Sequence, residues 1–268
     1  MEGLAEKLAS KLHKYSVLPF DDAYGSVAPG DVFVFTNYTF FMVIAALATL
    51  VFFIIAARKP TLVPKGIGNL AEAGVEFVTG ICVDTMGKGG AKFVPFVGTL
   101  FFVILFANVL GLTPGTLPAT GTIGVTAAWA IAVFVLYNYI GFKKHGFIGY
   151  LKSFIPSGIR EMGPAWRFTL GPFIFLLELI GHILRPLTLA LRLYANIFAG
   201  GLILGIFGIF MILGLREISA LGVVSASFSL LMLVIMYAFK LFVSVVQAYI
   251  FTILTAVYIG GALHADEH

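Results

Sequence analysis

The stretch LGPFIFLLELIGHILRPLTLALRLYANIFAGGLILGIFGIFMILGL, residues 170–215, decides the fold. Glu178, Arg185 and Arg192 are its only charged residues. A membrane helix needs roughly 20 apolar residues, so this run is too long for one upright span. It predicts a helix that is strongly tilted or lies across the bilayer. Residues 218–263 form a second run of the same kind. Working outward, three shorter runs have ordinary spanning lengths: 38–57, stopping at Arg58-Lys59-Pro60; 93–112, ending at Thr113-Pro114-Gly115; and 123–142, stopping at Lys143-Lys144-His145.

Residues 66–88 read differently. Ile67, Leu70, Ala71, Gly74, Val75, Val78, Ile81 and Cys82 recur at helical spacing, with Glu72, Glu76 and Asp84 among them. That pattern predicts an amphipathic helix at the interface, with Cys82 on its apolar side, and not a sixth span. The expected fold is therefore an all-α polytopic membrane protein with about five membrane helices plus the interfacial helix, the last two long and strongly tilted. It forms a single membrane domain over 36–268, after an extramembrane segment, 1–35. Leu4, Leu8 and Leu12 in that segment suit a short amphipathic surface helix, and its scattered charges argue against a cleaved secretory signal.

Composition supports the same class. Of 268 residues 60% are hydrophobic and 11% charged, against about 25% charged in soluble domains. The mean hydropathy is +1.02. A soluble enzyme lacks its polar surface here, and a disordered chain would need far lower hydrophobicity. The net charge of +4 is spread along the chain, so no basic face for nucleic acid is expected. The single cysteine excludes an intramolecular disulfide and a multi-cysteine zinc site. No metal-ligand cluster, nucleophile–base pair or phosphate-binding loop is legible, and no cofactor is expected.

Basic residues set the orientation. Five lie in 58–92 (Arg58, Lys59, Lys65, Lys88, Lys92) and five in 142–170 (Lys143, Lys144, Lys152, Arg160, Arg167), while the loop 113–122 carries no charge. Two spans separate the basic segments, so both are expected on the cytoplasmic side. The N-terminus and the Arg216-Glu217 turn then lie outside, and the C-terminus lies inside. Of seventeen basic residues, three remain within the long apolar runs: Arg185, Arg192 and Lys240. Glu178 is the acid that accompanies them. A charged group at the bilayer centre costs about 2.5–3.5 kcal/mol on insertion scales, which makes these four the functional candidates.

At about 100° per residue, Glu178, Arg185, Arg192 and Asn196 form one polar stripe, with His182 at its edge. Glu178 and Arg192 are roughly 21 Å apart along the axis and cannot pair, although the seven-residue spacing lets Glu178 neutralise Arg185. Pro186 cannot donate to the carbonyl of His182, so a bend and a free acceptor are expected there. Gly200, Gly201, Gly205 and Gly208 leave a smooth face suited to close packing or sliding. In the second long run Lys240 and Gln247 share a face, with Tyr237 and Ser244 close by. Thr252, Thr255 and Tyr258 extend its polarity.

These residues carry a resemblance. Glu178, Arg185-Pro186, the block Thr188-Leu189-Ala190-Leu191-Arg192-Leu193, Asn196 and the later Gln247-Ala248-Tyr249-Ile250-Phe251 resemble subunit a of the F-type rotary ATP synthases. The run from Phe106 through Asn108 to Gly115 and the region of Thr126 add to it. The resemblance implies a bacterial inner-membrane protein, not an enzyme on its own. Its implied partners are a ring of c subunits, the b-subunit peripheral stalk, the remaining synthase subunits and lipid. It also implies that Arg192 faces the ring carboxylate and separates two half-channels. Glu178 and His182 would belong to the inner one, Asn196 and Gln247 to the outer. Many members carry a Glu or His nine residues after the arginine, or a His or Glu seven before the glutamine; here those positions are Gly201 and Lys240. Lys240 then tunes proton capture or fills the space that Gly201 leaves. A proton is the expected coupling ion, with sodium as the alternative. A free-standing secondary transporter would instead show repeated halves with matching broken helices, and the first three spans are unlike the last two.

Overall fold

In the computed structural model the described residues are 37–58, 65–113, 118–154, 164–216 and 219–265. The expected N-terminal segment 1–35 and its surface helix lie outside them. Six α-helices follow in order: α1 (Asn37–Ala57), α2 (Ile67–Met86), α3 (Val94–Leu110), α4 (Ile123–Lys152), α5 (Pro164–Arg216) and α6 (Ala220–Leu263). Two 3-10 turns, Gly87–Phe93 and Ala119–Gly121, precede α3 and α4. No strand occurs among the described residues. The fold is all-α and polytopic: the apolar stretches Tyr38–Ala57, Gly89–Leu110, Ile123–Lys152, Leu170–Arg216 and Leu221–Leu263 are long enough to cross a membrane.

The sixth helix, α2, is too polar to join them. Its buried residues Ala71, Val78, Cys82 and Met86 recur every seven and four positions, one stripe of a helix. Glu72, Glu76 and Asp84 are exposed on other faces. The stripe packs against α1, α3 and α6, so Cys82 is the small buried hydrophobe that the spacing predicts.

At α5 and α6, with 53 and 44 residues, a rise of about 1.5 Å per residue gives lengths near 80 and 66 Å. Both exceed twice the roughly 30 Å hydrocarbon core, so neither fits upright in a bilayer. They run antiparallel, the chain turning back within the three residues between them. Close approach at that turn requires Gly214: a Cβ there would sit 2.7 Å from the Gly222 carbonyl oxygen and 2.8 Å from the Ala226 nitrogen. Backbone atoms cannot move aside as a flexible side chain can, so a small residue is needed for this pairing.

The core lies where α4 and α6 meet one face of α5, with α3 packed against α6. Leu189, Leu193 and Ile197 of α5, each four residues from the next, are buried with Phe251 and Ile259 of α6, Tyr137 of α4 and Val97 and Ile104 of α3. The opposite side of α5, including Leu187, Leu191, Phe198 and Leu202, is exposed.

The third span, α4, carries Lys143-Lys144-His145 as its last residues before a break, and the side chains of Lys144 and His145 find partners there. Lys144 Nζ donates to the Leu263 carbonyl, and His145 Nε2 lies 3.2 Å and 3.3 Å from the carbonyls of Ala262 and Leu263. The last carbonyls of a helix have no intrahelical donor, and here α4 serves those of α6. The break comes at Gly146, whose φ of 72° favours glycine. Beyond it Tyr150 folds back over Gly141, leaving no room there for a Cβ.

Candidate functional site

The register of α5 against α6 fixes the heights of the candidate residues. The methylenes of Lys240 lie against Gly200, where a Cβ would be 3.3 Å from the Lys240 Cδ and Cε, and Gly214 meets Ala226. In both contacts the residue numbers add to 440. The same register sets Arg192 level with Ala248, beside Gln247, and Asn196 level with Ser244. The two halves of the sequence motif, more than fifty positions apart, thus come to one height.

Arg192 is exposed, on the side of α5 turned away from Leu193 and Ile197. Among the described residues no hydrogen bond or ion pair reaches it. Asn196, one turn on, is half-buried, and Gln247 is buried. Lys240 is half-buried and rests on Gly200, whereas a Cβ on Gly201 would meet nothing within 4 Å. Lys240 therefore does not occupy space left by Gly201. The Ser244 hydroxyl donates to the Lys240 carbonyl at 2.8 Å.

A second group lies toward the other end of α5. Arg185 donates to Glu178 across 2.9 Å, the pairing that the seven-residue spacing permits. Both line a cavity of about 510 Å³ bounded by Tyr150, Phe154, Tyr258 and Ala262. The Arg185 guanidinium also lies over the Tyr258 ring at 5.7 Å, a favourable cation–π placement. Glu178 and Arg192 do not meet, in keeping with their axial separation.

His182 is 4% exposed and caged by the rings of Phe134, Tyr137, Tyr150 and Phe154. Its Nε2 lies 2.9 Å from Oδ1 of Asn138 on α4. Asn138 Nδ2 is already committed to the Phe134 carbonyl at 2.8 Å. Oδ1 is thus the atom left for the imidazole, so Nε2 carries a hydrogen and, in the neutral ring, Nδ1 is the acceptor.

The polarity expected from Thr252 and Thr255 does not reach the site. Their hydroxyls are buried and donate to the carbonyls of Ala248 and Phe251 on their own helix. Two amides that composition did not single out take structural parts. Asn108 of α3, fully buried, accepts from the Thr120 hydroxyl at 2.9 Å and reaches the Ser244 carbonyl at 3.5 Å, tying α3 and the 3-10 turn to α6. Asn138 orients His182. A lone amide in an apolar span is the signal for both, because it must find a partner in hydrocarbon. No group of three or more possible metal ligands occurs among the described residues.

The family model described as ATP synthase A chain matches residues 39–260, which include every candidate site residue above. The chain belongs to the ATP synthase subunit a family. Relatives named ATP synthase subunit a include one from Acidiphilium cryptum, 39% identical over 90% of this chain and 92% of its own. Another, from Hyphomonas neptunium, is 39% identical over 87% and 89% of the two chains. A third, from Azorhizobium caulinodans, is 40% identical over 86% and 88%. As a member of the subunit a family, the chain is a multi-pass membrane subunit of the F-type ATP synthase, and its partners are other subunits of that complex. Within this family frame, the stripe of α5 and the facing stripe of α6 form the candidate site.

Proposed function

We propose that this chain is the ion-translocating stator subunit of the rotary synthase, forming two half-channels against a c-subunit ring, with Arg192 as the electrostatic separator. The observation that carries the reading is an unpaired guanidinium on the exposed face of a membrane helix. Such a group costs about 2.5–3.5 kcal/mol at the bilayer centre and is retained where an opposite charge comes to meet it. A guanidinium stays protonated under any accessible condition. It therefore attracts a ring carboxylate, favours release of the carboxylate's ion, and bars direct passage between the half-channels.

Glu178, Arg185 and His182 belong to the inner half-channel, for which the cavity beside Glu178 supplies volume and charge. Asn196 and Lys240, on the opposite side of Arg192 in height, belong to the outer one together with Gln247, which lies level with Arg192. The coupling ion is the proton. A charge falling through 100 mV releases about 2.3 kcal/mol, which is the energy that such a path delivers to rotation. The excess of Lys and Arg in 58–92 and 142–170 puts the C-terminus in the cytoplasm and the N-terminus outside. The b-subunit stalk is the further partner, and the bacterial inner membrane is the location.

The test is Arg192→Ala in the assembled synthase. Ion-driven ATP synthesis is expected to vanish while the complex remains assembled; normal coupled synthesis in that variant overturns the reading. ATP-driven pumping with and without sodium checks the ion, with no sodium requirement expected.

A further inference from the structure

Two buried polar atoms take no part in the contacts described above. Nδ1 of His182 and the hydroxyl of Tyr137 are buried without a hydrogen-bond partner among the described residues. Their side chains are 4% and 1% exposed, and their rings meet edge to face, centroids 5.2 Å apart. A buried polar group left alone costs about 1–3 kcal/mol, so two such atoms on rings in contact call for a partner that both can reach. The partner must be small, because Phe134, Tyr150 and Phe154 close in around the imidazole. It must also both accept and donate. The phenol offers a hydrogen, while Nδ1 of the neutral ring, its other nitrogen held by Asn138, needs one. Water has this chemistry, and buried waters take two to four such partners.

We propose that an internal water is bound between the Tyr137 hydroxyl and Nδ1 of His182, and that it is the innermost station of the hydrated cavity around Glu178 and Arg185. The cavity comes within one ring of this place: Tyr150 and Phe154 line it and also touch His182, and Tyr258 lines it while meeting Tyr137 at 5.8 Å. The water accepts from the Tyr137 hydroxyl and donates to Nδ1, leaving one hydrogen for cavity water. The carbonyl of His182 is a further acceptor, since Pro186 has no hydrogen to give it. Tyr137 and Asn138 are thus positioning residues of the inner path: Asn138 fixes which imidazole nitrogen is free, and Tyr137 fixes the water. The path-forming part of this proposal rests on the half-channel reading given above.

The experiment uses the intact synthase. A density map that resolves ordered water should show one within hydrogen-bond distance of both atoms; a direct contact between the two side chains, or an empty apolar gap, overturns the proposal. In membranes stripped of the catalytic head, Tyr137→Phe, which removes only the hydroxyl, is expected to lower proton flow several-fold at unchanged subunit content. Its solvent deuterium isotope effect on flow is expected to differ from that of the unmodified protein, a change that a merely structural hydroxyl would not produce. Flow and isotope effect equal to the unmodified protein's overturn the proposal. If Tyr137→Phe does not assemble, the density map decides. Arg192→Ala, measured alongside, separates the two readings. Coupled synthesis in Arg192→Ala removes the half-channel reading itself, whereas uncoupled Arg192→Ala with unaltered Tyr137→Phe removes only the water station.

Discussion

Lys240 and the two glycines before it in α5 show how little of a site a spacing rule resolves. The number of residues from Arg192 singles out Gly201 as a changed position, but the lysine stem lies on Gly200 and the space over Gly201 is open. Helical periodicity gives a residue's angle around its own axis and says nothing about the roll of a neighbouring helix. Gly200→Leu is therefore expected to push Lys240 aside and to change ATP synthesis in the same way as Lys240→Ala, with no further change in the double variant. Gly201→Ala should leave the amount of assembled subunit unchanged, as an immunoblot of membranes would show. Cys82 illustrates the reverse case, a residue whose setting the sequence reads correctly. Burial pushes its thiol up to about 11, so at pH 8 about one in a thousand is thiolate, the reactive form. Alkylating reagents should leave Cys82 unlabelled at pH 8 in the folded protein and label it readily after denaturation.

Among elements, the five spans and the amphipathic α2 were legible because each is a property of one segment: apolar length, or a stripe of apolar residues. What the sequence left hidden are agreements between segments. The partners of Lys144 and His145, at the end of the first part of α4, are the open carbonyls at the end of α6, more than a hundred residues later. Asn108 stands out as an amide within apolar α3, but its partners emerge only when Thr120 and Ser244 are placed beside it. The Asn108 connection gives a prediction at this scale. Asn108→Leu keeps the helix but strands the buried Thr120 hydroxyl, at a cost of about 1–3 kcal/mol. A lower thermal midpoint of the purified complex, and less subunit in the membrane, are the expected results.

For the whole molecule, the decisive property is incompleteness. Only 11% of the most apolar stretch of α5, and likewise of α6, is buried within the chain, and the unpaired Arg192 sits on that open side. A self-sufficient transporter encloses its path between its own helices; among the described residues this chain shapes a cavity beside Glu178 and leaves Arg192 exposed. The chain purified alone and placed in vesicles is accordingly expected to pass no protons under an imposed potential, and conduction should appear on reconstitution with the ring. Conduction by the lone chain would favour a free-standing transporter. Composition revealed the membrane class, and the placing of a few charges revealed the family. The pairing of Glu178 with Arg185 and the cage around His182 emerged only with the packing.

The ties to α6 also have a mechanical meaning. Its end is gripped by Lys144 and His145, its middle by Asn108, and Gly260 lets it lie directly on the backbone of Thr85 in α2. A long rod held at several points along its length resists bending far better than one held at its ends. A sideways push on the exposed face of α5 therefore passes into α6 and is shared among α2, α3 and α4, so this wall would stay still beside the rotating ring proposed above.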